Sequence, residues 1–325
     1  MLSISSKENR IFHYISTMLL VLSVVYLVYE ISRFDEYDSL LAAFKENSRQ
    51  NFIWLLSVFI LLPVNWLIEA IKWKKVCCYL EKQHLTTAFK AVLAGISSGF
   101  ITPNRIGDIV GRMQFMGAEN RKSAVSLAAV NSLTQNLAIL LPGIPLAILF
   151  FIQLQQSTIQ SKTYILFLIV ILLLFSITLI SLPSVAGKIN HHKFRSYFRG
   201  LANYTFKDMV VITGWSLLRF CVFSCQFFLM LRFFGVELSL IQAVTSIPVM
   251  YLLVTFTPSF AFSEALIRGS WAVFVIGSFA GNIPGILMAG VGLWLVNVVV
   301  PVAIGAGISS LKLWATNQVD DHVPG

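Results

Sequence analysis

Residues 86–116 read TTAFKAVLAGISSGFITPNRIGDIVGRMQFM, and the threading of this stretch decides the fold. It is mostly apolar and small, with Pro103 near its middle, where proline breaks a helix. Basic residues flank it on both sides: Lys72, Lys74, Lys75 and Lys82 before, Arg121 and Lys122 after. Lys and Arg accumulate in the short cytoplasmic loops of membrane proteins, so both flanks are expected on one side. A full crossing needs about 20 apolar residues, and the stretch is too short for two. It therefore predicts a re-entrant hairpin: up along Thr86–Thr102, a turn at Pro103-Asn104, and back along Arg105–Met116. Broken helices persist at membrane depth where protein or a wet cavity surrounds them.

The rest of the chain supplies the surrounding protein. Of 325 residues 57% are hydrophobic and 12% charged, against about a quarter charged in soluble domains. The apolar residues come in runs long enough to cross a bilayer: Ile11–Ile31, Phe52–Ile71, Ala124–Phe151, Thr163–Leu182, Met209–Leu231 and Gly285–Leu311. Backbone in hydrocarbon must satisfy its own hydrogen bonds, so these are helices; the alternating short strands of a barrel are not found. The fold class is an all-α integral membrane protein, a polytopic bundle. The first run is expected as a retained helix rather than a cleaved signal peptide, because it is long and no small-residue cleavage site follows. The longest polar stretch, Pro183–Asp208, is too short for a folded soluble domain. A net charge of +9 sits in short loops, which points to membrane topology and not to nucleic acid. Cys77, Cys78, Cys221 and Cys225 show no CxxC spacing with partner histidines, so no zinc site is expected.

Charge sets the expected topology. Lys7 and Arg10, the cluster Lys188, Lys193, Arg195, Arg199 and Lys207, and Lys312 mark cytoplasmic ends, with both termini cytoplasmic. Arg232 then falls outside, and Leu240–Ser278, broken at Thr257-Pro258, reads as a second hairpin entered from the other face. The hairpins correspond. Thr102-Pro103, Gly107-Asp108 and Arg112 match Thr257-Pro258, Ser263-Glu264 and Arg268, with four residues from acid to arginine in each. Each hairpin follows two plain spans and precedes a third. A three-crossing unit repeated once gives an inverted-topology repeat, residues 1–162 and 163–325, together one membrane domain; transporters of this design bind substrate at their broken helices.

Gly99-Phe-Ile-Thr-Pro-Asn-Arg-Ile-Gly-Asp108, followed by Arg112, resembles the TPGRIGE…R signature of the lysylphosphatidylglycerol synthase transmembrane region, the flippase-like domain family. Thr257-Pro258 through Glu264 is similar to that family's second motif, with Phe260, Ala261 and Phe262 where glycines are usual. Asn131, Ser132 and Gln135 stand where the family commonly has a Glu-Arg pair and an acid. The resemblance spans nearly the whole chain and implies lipid translocation between leaflets. Larger members carry a soluble aminoacyl-transfer domain; this chain ends soon after Lys312, so that activity is expected to be absent.

The candidate pathway residues are Thr102, Pro103, Asn104, Arg105, Gly107, Asp108, Arg112, Asn131, Gln135, Thr257, Pro258, Ser259, Ser263, Glu264 and Arg268. A charge at the bilayer centre costs roughly 2.5–3.5 kcal/mol on insertion scales, so Asp108/Arg112 and Glu264/Arg268 need pairing or hydration. They line a hydrated path that grips phosphate, or they pin the hairpins as internal ion pairs. The turn at Asn104-Arg105 offers free N–H groups to an anion, or is an ordinary capped turn. Asn131, Thr134 and Gln135 line the path or bond between helices. Gly95/Gly99 and Gly107/Gly111 let the arms pack closely. Phe194, Tyr197, Phe198 and Leu201 among Lys193, Arg195 and Arg199 form an amphipathic interfacial helix. The expected function is a lipid translocase without cofactor. An anionic phospholipid or polyprenyl-phosphate-type lipid would move through a polar cleft between the hairpins, in the cell membrane of a bacterium or archaeon. Its partners are membrane lipids, not nucleic acid, and homo-oligomerisation is left open. The rivals are an intramembrane lipid-modifying enzyme, for which His13, His84, His191, His192 and His322 lie away from the hairpins, and a non-transporting scaffold.

Overall fold

In a computed structural model of the chain, residues 48–320 are described apart from 101, 103–104, 155–159, 189–191 and 259–260. The span expected at Ile11–Ile31 and the turn residues Pro103, Asn104 and Ser259 lie outside the described residues. The described chain is helical with no strand. The α-helices are α1 (Ser48–Val76), α2 (Leu85–Phe100), α3 (Gly107–Met113), α4 (Arg121–Leu154), α5 (Gln160–Gly187), α6 (His192–Phe198), α7 (Phe206–Phe233), α8 (Leu240–Phe256), α9 (Ala261–Ile276) and α10 (Ile283–Asp320). Segments of α1, α4, α5, α7 and α10 are long and apolar enough to cross a membrane. The protein is an all-α polytopic membrane protein.

Both expected hairpins exist as helix pairs. α2 ends two residues short of Thr102, and its partner α3 is shorter than expected, beginning at Gly107 and ending at Met113. Between them Arg105 takes a left-handed backbone, φ +56°, which an L-residue adopts at a cost of roughly 1–2 kcal/mol. The arms run antiparallel at backbone contact. A Cβ on Gly107 would overlap the Ser98 carbonyl, and one on Gly111 the Ala94 carbonyl. One on Gly95 would overlap the Asp108 carboxylate, and one on Gly99 would lie 3.4 Å from the Asp108 backbone nitrogen. In the second hairpin, Ser239 opens α8 with a reciprocal cap, its hydroxyl accepting from the Gln242 N–H while the Gln242 amide oxygen accepts from the Ser239 N–H.

The chain divides into two compact units, neither contiguous in sequence. One comprises Pro63–Ala138, Leu173–Phe220 and Val296–Gly325; the other comprises Met1–Leu62, Ile139–Leu172 and Cys221–Leu295. The first, the Glu69 unit, holds the whole α2/α3 hairpin, and the second, the Arg268 unit, holds the whole α8/α9 hairpin. The five long helices each contribute to both.

Within each unit the outgoing arm of the hairpin lies against a glycine of a long helix. In the Glu69 unit, a Cβ on Gly305 of α10 would overlap the Leu93 carbonyl and stand 3.0 Å from the Ser97 Cβ. In the Arg268 unit, one on Gly143 of α4 would stand 3.3 Å from the Pro248 carbonyl oxygen and 3.1 Å from the Leu252 Cβ. Leu93 and Ser97 precede Thr102 by nine and five residues; Pro248 and Leu252 precede Thr257 by the same nine and five.

The basic residues after the second apolar run do not all lie in a loop. α1 continues to Val76, and Lys72 is buried inside it. Its ammonium is held there by Glu69 one turn earlier, at 3.1 Å. The polar stretch before α7 is likewise ordered. α6 docks on the start of α4, where the Ser123 and Ser126 hydroxyls donate to the Ser196 and Tyr197 carbonyls at 2.6 and 2.5 Å. Tyr204 donates to the Val76 carbonyl, and burial pushes its phenol well above the usual range.

Candidate functional site

Asn65, Glu69, Lys72 and Trp73 recur on α1 at helical spacing and share a face. Glu69 is the centre of the arrangement. Its side chain is 1% exposed, and both carboxylate oxygens are doubly engaged. Oε1 accepts from Arg112 Nη2 at 2.9 Å and Asn131 Nδ2 at 2.8 Å; Oε2 meets Lys72 Nζ at 3.1 Å and Arg219 Nη1 at 3.0 Å. Four donors on one carboxylate are what a buried charge needs to be tolerated.

Each donor is held in turn. Lys72 Nζ also donates to the Asn131 carbonyl at 3.2 Å. Arg219, from α7, donates through Nε to Asn65 Oδ1 at 2.8 Å. Arg112, from α3, donates through Nε to Asp108 Oδ2 at 2.9 Å, closing the expected acid-arginine pair one turn apart. Its guanidinium carbon lies 4.8 Å from the centre of the Trp73 ring, within cation–π range. α1, α3, α4 and α7 thus converge on one carboxylate.

The bonded set brings three cations, Lys72, Arg112 and Arg219, to Glu69, and Arg112 also meets Asp108. Several of its polar atoms are buried without a protein partner: Arg112 Nη1, Asn131 Oδ1 and, one turn along α4, Gln135 Oε1. The Gln135 amide donates instead to the Ser216 carbonyl at 3.3 Å, and the Ser216 hydroxyl to Thr134 Oγ1 at 3.3 Å. Such orphaned atoms are uncommon in native proteins and mark places where a ligand or water completes the bonding.

Two arrangements are expected at the turn, and the bonds at Thr102 and Gly107 bear on the start of α3. The Gly107 N–H donates to Thr102 Oγ1 at 2.7 Å, and the Thr102 hydroxyl reaches the Gly99 carbonyl at 3.2 Å. Thr102 therefore takes an N–H that a free helix start would have offered to an anion. Arg105 beside it is exposed.

In the Arg268 unit the second pair forms as expected. Arg268 Nη2 donates to Glu264 Oε1 at 2.8 Å, and the guanidinium carbon stands 5.7 Å from the Tyr251 ring centre. The Trp271 indole N–H donates to Thr257 Oγ1 at 2.9 Å, and the Thr257 hydroxyl donates in turn to the Leu253 carbonyl at 2.7 Å. Arg268 Nε is buried without a partner. Ser263 is buried, while Pro258 and Glu264 are half-buried.

The structure therefore joins Asp108 and Asn131 through Arg112 and Glu69, and separately pairs Glu264 with Arg268, while Thr257 is bonded to Trp271. Glu69, Lys72, Arg219 and Asn65 were not singled out from sequence. Their signal was available: an acid, or an arginine, inside an otherwise apolar run is a functional-site marker by itself. Among the described residues no group of three or more His, Cys, Asp and Glu side chains is placed to hold a metal.

The profile of the family described as "Lysylphosphatidylglycerol synthase TM region" matches residues 14–305. No curated protein and no solved structure matches the chain.

Proposed function

The chain belongs to the lysylphosphatidylglycerol synthase TM region family, and from that premise we propose that it is a lipid translocase for an anionic phospholipid or polyprenyl-phosphate-type lipid. The observation that carries the reading is Arg112. It is buried at 4% exposure, anchored by two carboxylates, and retains one guanidinium nitrogen without a partner. Arginine is suited to phosphate because its planar fork presents paired donors. A headgroup phosphate would accept from the guanidinium nitrogen that Arg112 leaves unbonded. The tails would remain in lipid while the headgroup is handled by the polar residues.

The reading includes an inverted repeat with both termini cytoplasmic, in a bacterial or archaeal cell membrane, and with each hairpin entering and leaving by its own face. Its support is the shared Thr-Pro, acid and arginine order, together with the glycine contacts at matching distances before Thr102 and Thr257. Single cysteines replacing exposed Lys122 and Glu237 in a cysteine-free background should then react with an impermeant reagent from opposite sides. Labelling from one side removes the repeat.

Function is tested in proteoliposomes containing purified protein and labelled anionic lipids. The expected result is a change of leaflet with unchanged lipid mass, lost in Arg112→Lys protein that still folds. A covalently altered lipid would favour the enzyme reading, and no movement across a broad lipid panel would favour the scaffold.

A further inference from the structure

The exposed part of the segment from α6 to the start of α7 has a composition that the buried charge cluster does not use. Arg195, Arg199 and Lys207 are exposed. So are two aromatics, Tyr197 at 39% and Phe206 at 64%. The Ser123 and Ser126 bonds place α6 beside the start of α4, where Arg121 and Lys122 are also exposed. The nearby acid Asp208 does not offset these cations. Its carboxylate is engaged by Lys75 at 2.8 Å, by the Tyr79 hydroxyl at 2.8 Å and by Thr205. Glu119 is the exposed acid beside Arg121. The segment is also fixed in place: Leu201 is buried, and a Cβ on Gly200 would stand 2.6 Å from the Leu80 side chain.

We propose that this segment is a docking platform for the anionic headgroups of the bilayer leaflet that meets it. The occupant is set by complementary chemistry. Aromatic side chains prefer the interface between hydrocarbon and water, and Lys and Arg near the surface attract anionic lipid. A soluble acidic partner would explain the cations but leave two exposed aromatics at the edge of apolar spans without a role. The platform gathers lipid of the charge class proposed for the translocase, but it is an equilibrium binding surface and does not depend on lipid movement.

The test uses the full chain in bilayers of mixed phosphatidylglycerol and phosphatidylcholine, each spin-labelled in turn, and reads the relative association of the two lipids with the protein. The wild-type protein should prefer phosphatidylglycerol, and 0.5 M salt should abolish the preference by screening. A preference insensitive to salt overturns the proposal without any variant being made. Arg195→Gln with Arg199→Gln and Lys207→Gln should lose most of the preference. Arg195→Lys with Arg199→Lys should keep it, since attraction to a charged surface follows charge rather than guanidinium geometry. An undiminished preference in the glutamine variant overturns the platform. So does an equal loss when exposed Lys74, Lys82 and Lys90 are replaced instead. Neither result bears on translocation, which none of these residues has been placed to perform.

Discussion

The two hairpins carry the same Thr-Pro, acid and arginine order, yet their surroundings differ. In the α2/α3 hairpin, Arg112 belongs to a bonded set of five charges drawn from α1, α3 and α7, tied to α4 by Asn131. The packing there is so close that Cβ atoms on Gly95, Gly107, Gly111 and Gly305 would all overlap neighbouring atoms. In the α8/α9 hairpin, Arg268 meets one carboxylate and one aromatic face, and Gly143 leaves 3.1 Å for a Cβ before Leu252. The same motif feeds a charge centre shared by several helices in one place and forms an acid-arginine pair beside Tyr251 in the other. A motif sets which charges are presented; the helices packed on it set whether they are rigid.

The largest expected difference lies in the acids. Glu69→Ala removes the carboxylate that Lys72, Arg112 and Arg219 share, and breaking one buried pair alone costs about 3–5 kcal/mol. Folded protein recovered by size exclusion should therefore be nearly lost, whereas Glu264→Ala, which removes the carboxylate bonded to Arg268, should yield folded protein with a lowered unfolding temperature. Equal yields would erase the contrast.

Next come the glycines. Gly305→Ala drives a Cβ into the Leu93 carbonyl, and overpacking costs typically about 1–3 kcal/mol. Gly143→Ala brings a Cβ only to 3.1 Å from the Leu252 Cβ and 3.3 Å from the Pro248 oxygen, so it should cost less than Gly305→Ala, about 1 kcal/mol or below, as read from thermal unfolding in detergent. A larger loss at Gly143 would mean the α8/α9 hairpin is the stiffer one.

Arg112→Lys and Arg268→Lys sharpen the comparison through function. Lysine keeps the charge and loses the fork. A lost hydrogen bond to a charged group is worth about 1.5–3 kcal/mol, so the Arg112 change should lower lipid movement by about tenfold or more. The Arg268 change should lower it less, because a single bond to Glu264 survives. The smallest effect is at the turn. Arg105→Gly relieves the left-handed backbone and should raise stability by at most about 1 kcal/mol, while any fall in lipid movement would assign the exposed guanidinium a role of its own.

Much of this was legible before the fold. Pro103 and Pro258, with basic residues on both sides of the first break, located the hairpins, and the four-residue spacing located both ion pairs. Glu69 escaped notice because it sits in Trp66-Leu-Ile-Glu-Ala-Ile71, where apolar neighbours dominate any averaged hydropathy. Lys72 was misassigned for a related reason: counting lysines near span ends reads them as loop charge, and only the contact with Glu69 reveals a buried one. Arg219 lay hidden within Met209–Leu231 in the same way. No local pattern announces that Gly305 meets Leu93, since that contact joins residues more than two hundred positions apart.

That separation, and the mixed membership of the units, governs how the protein is made. Neither unit is a contiguous stretch, and both draw on α10. When the ribosome has delivered the α8/α9 hairpin, both hairpins already exist as chain, but Gly290, which lies 3.1 Å from the Gly269 Cα once a Cβ is placed on it, and Gly305 have yet to be synthesised. Insertion into the bilayer and assembly within it are therefore separate events, as expected for contacts of such long sequence separation. A nascent chain halted before α10 would be membrane-inserted yet unassembled, with Leu93 and Arg268 lacking their partner helix, and would present the cell's quality-control proteases with a recognisable unfinished product.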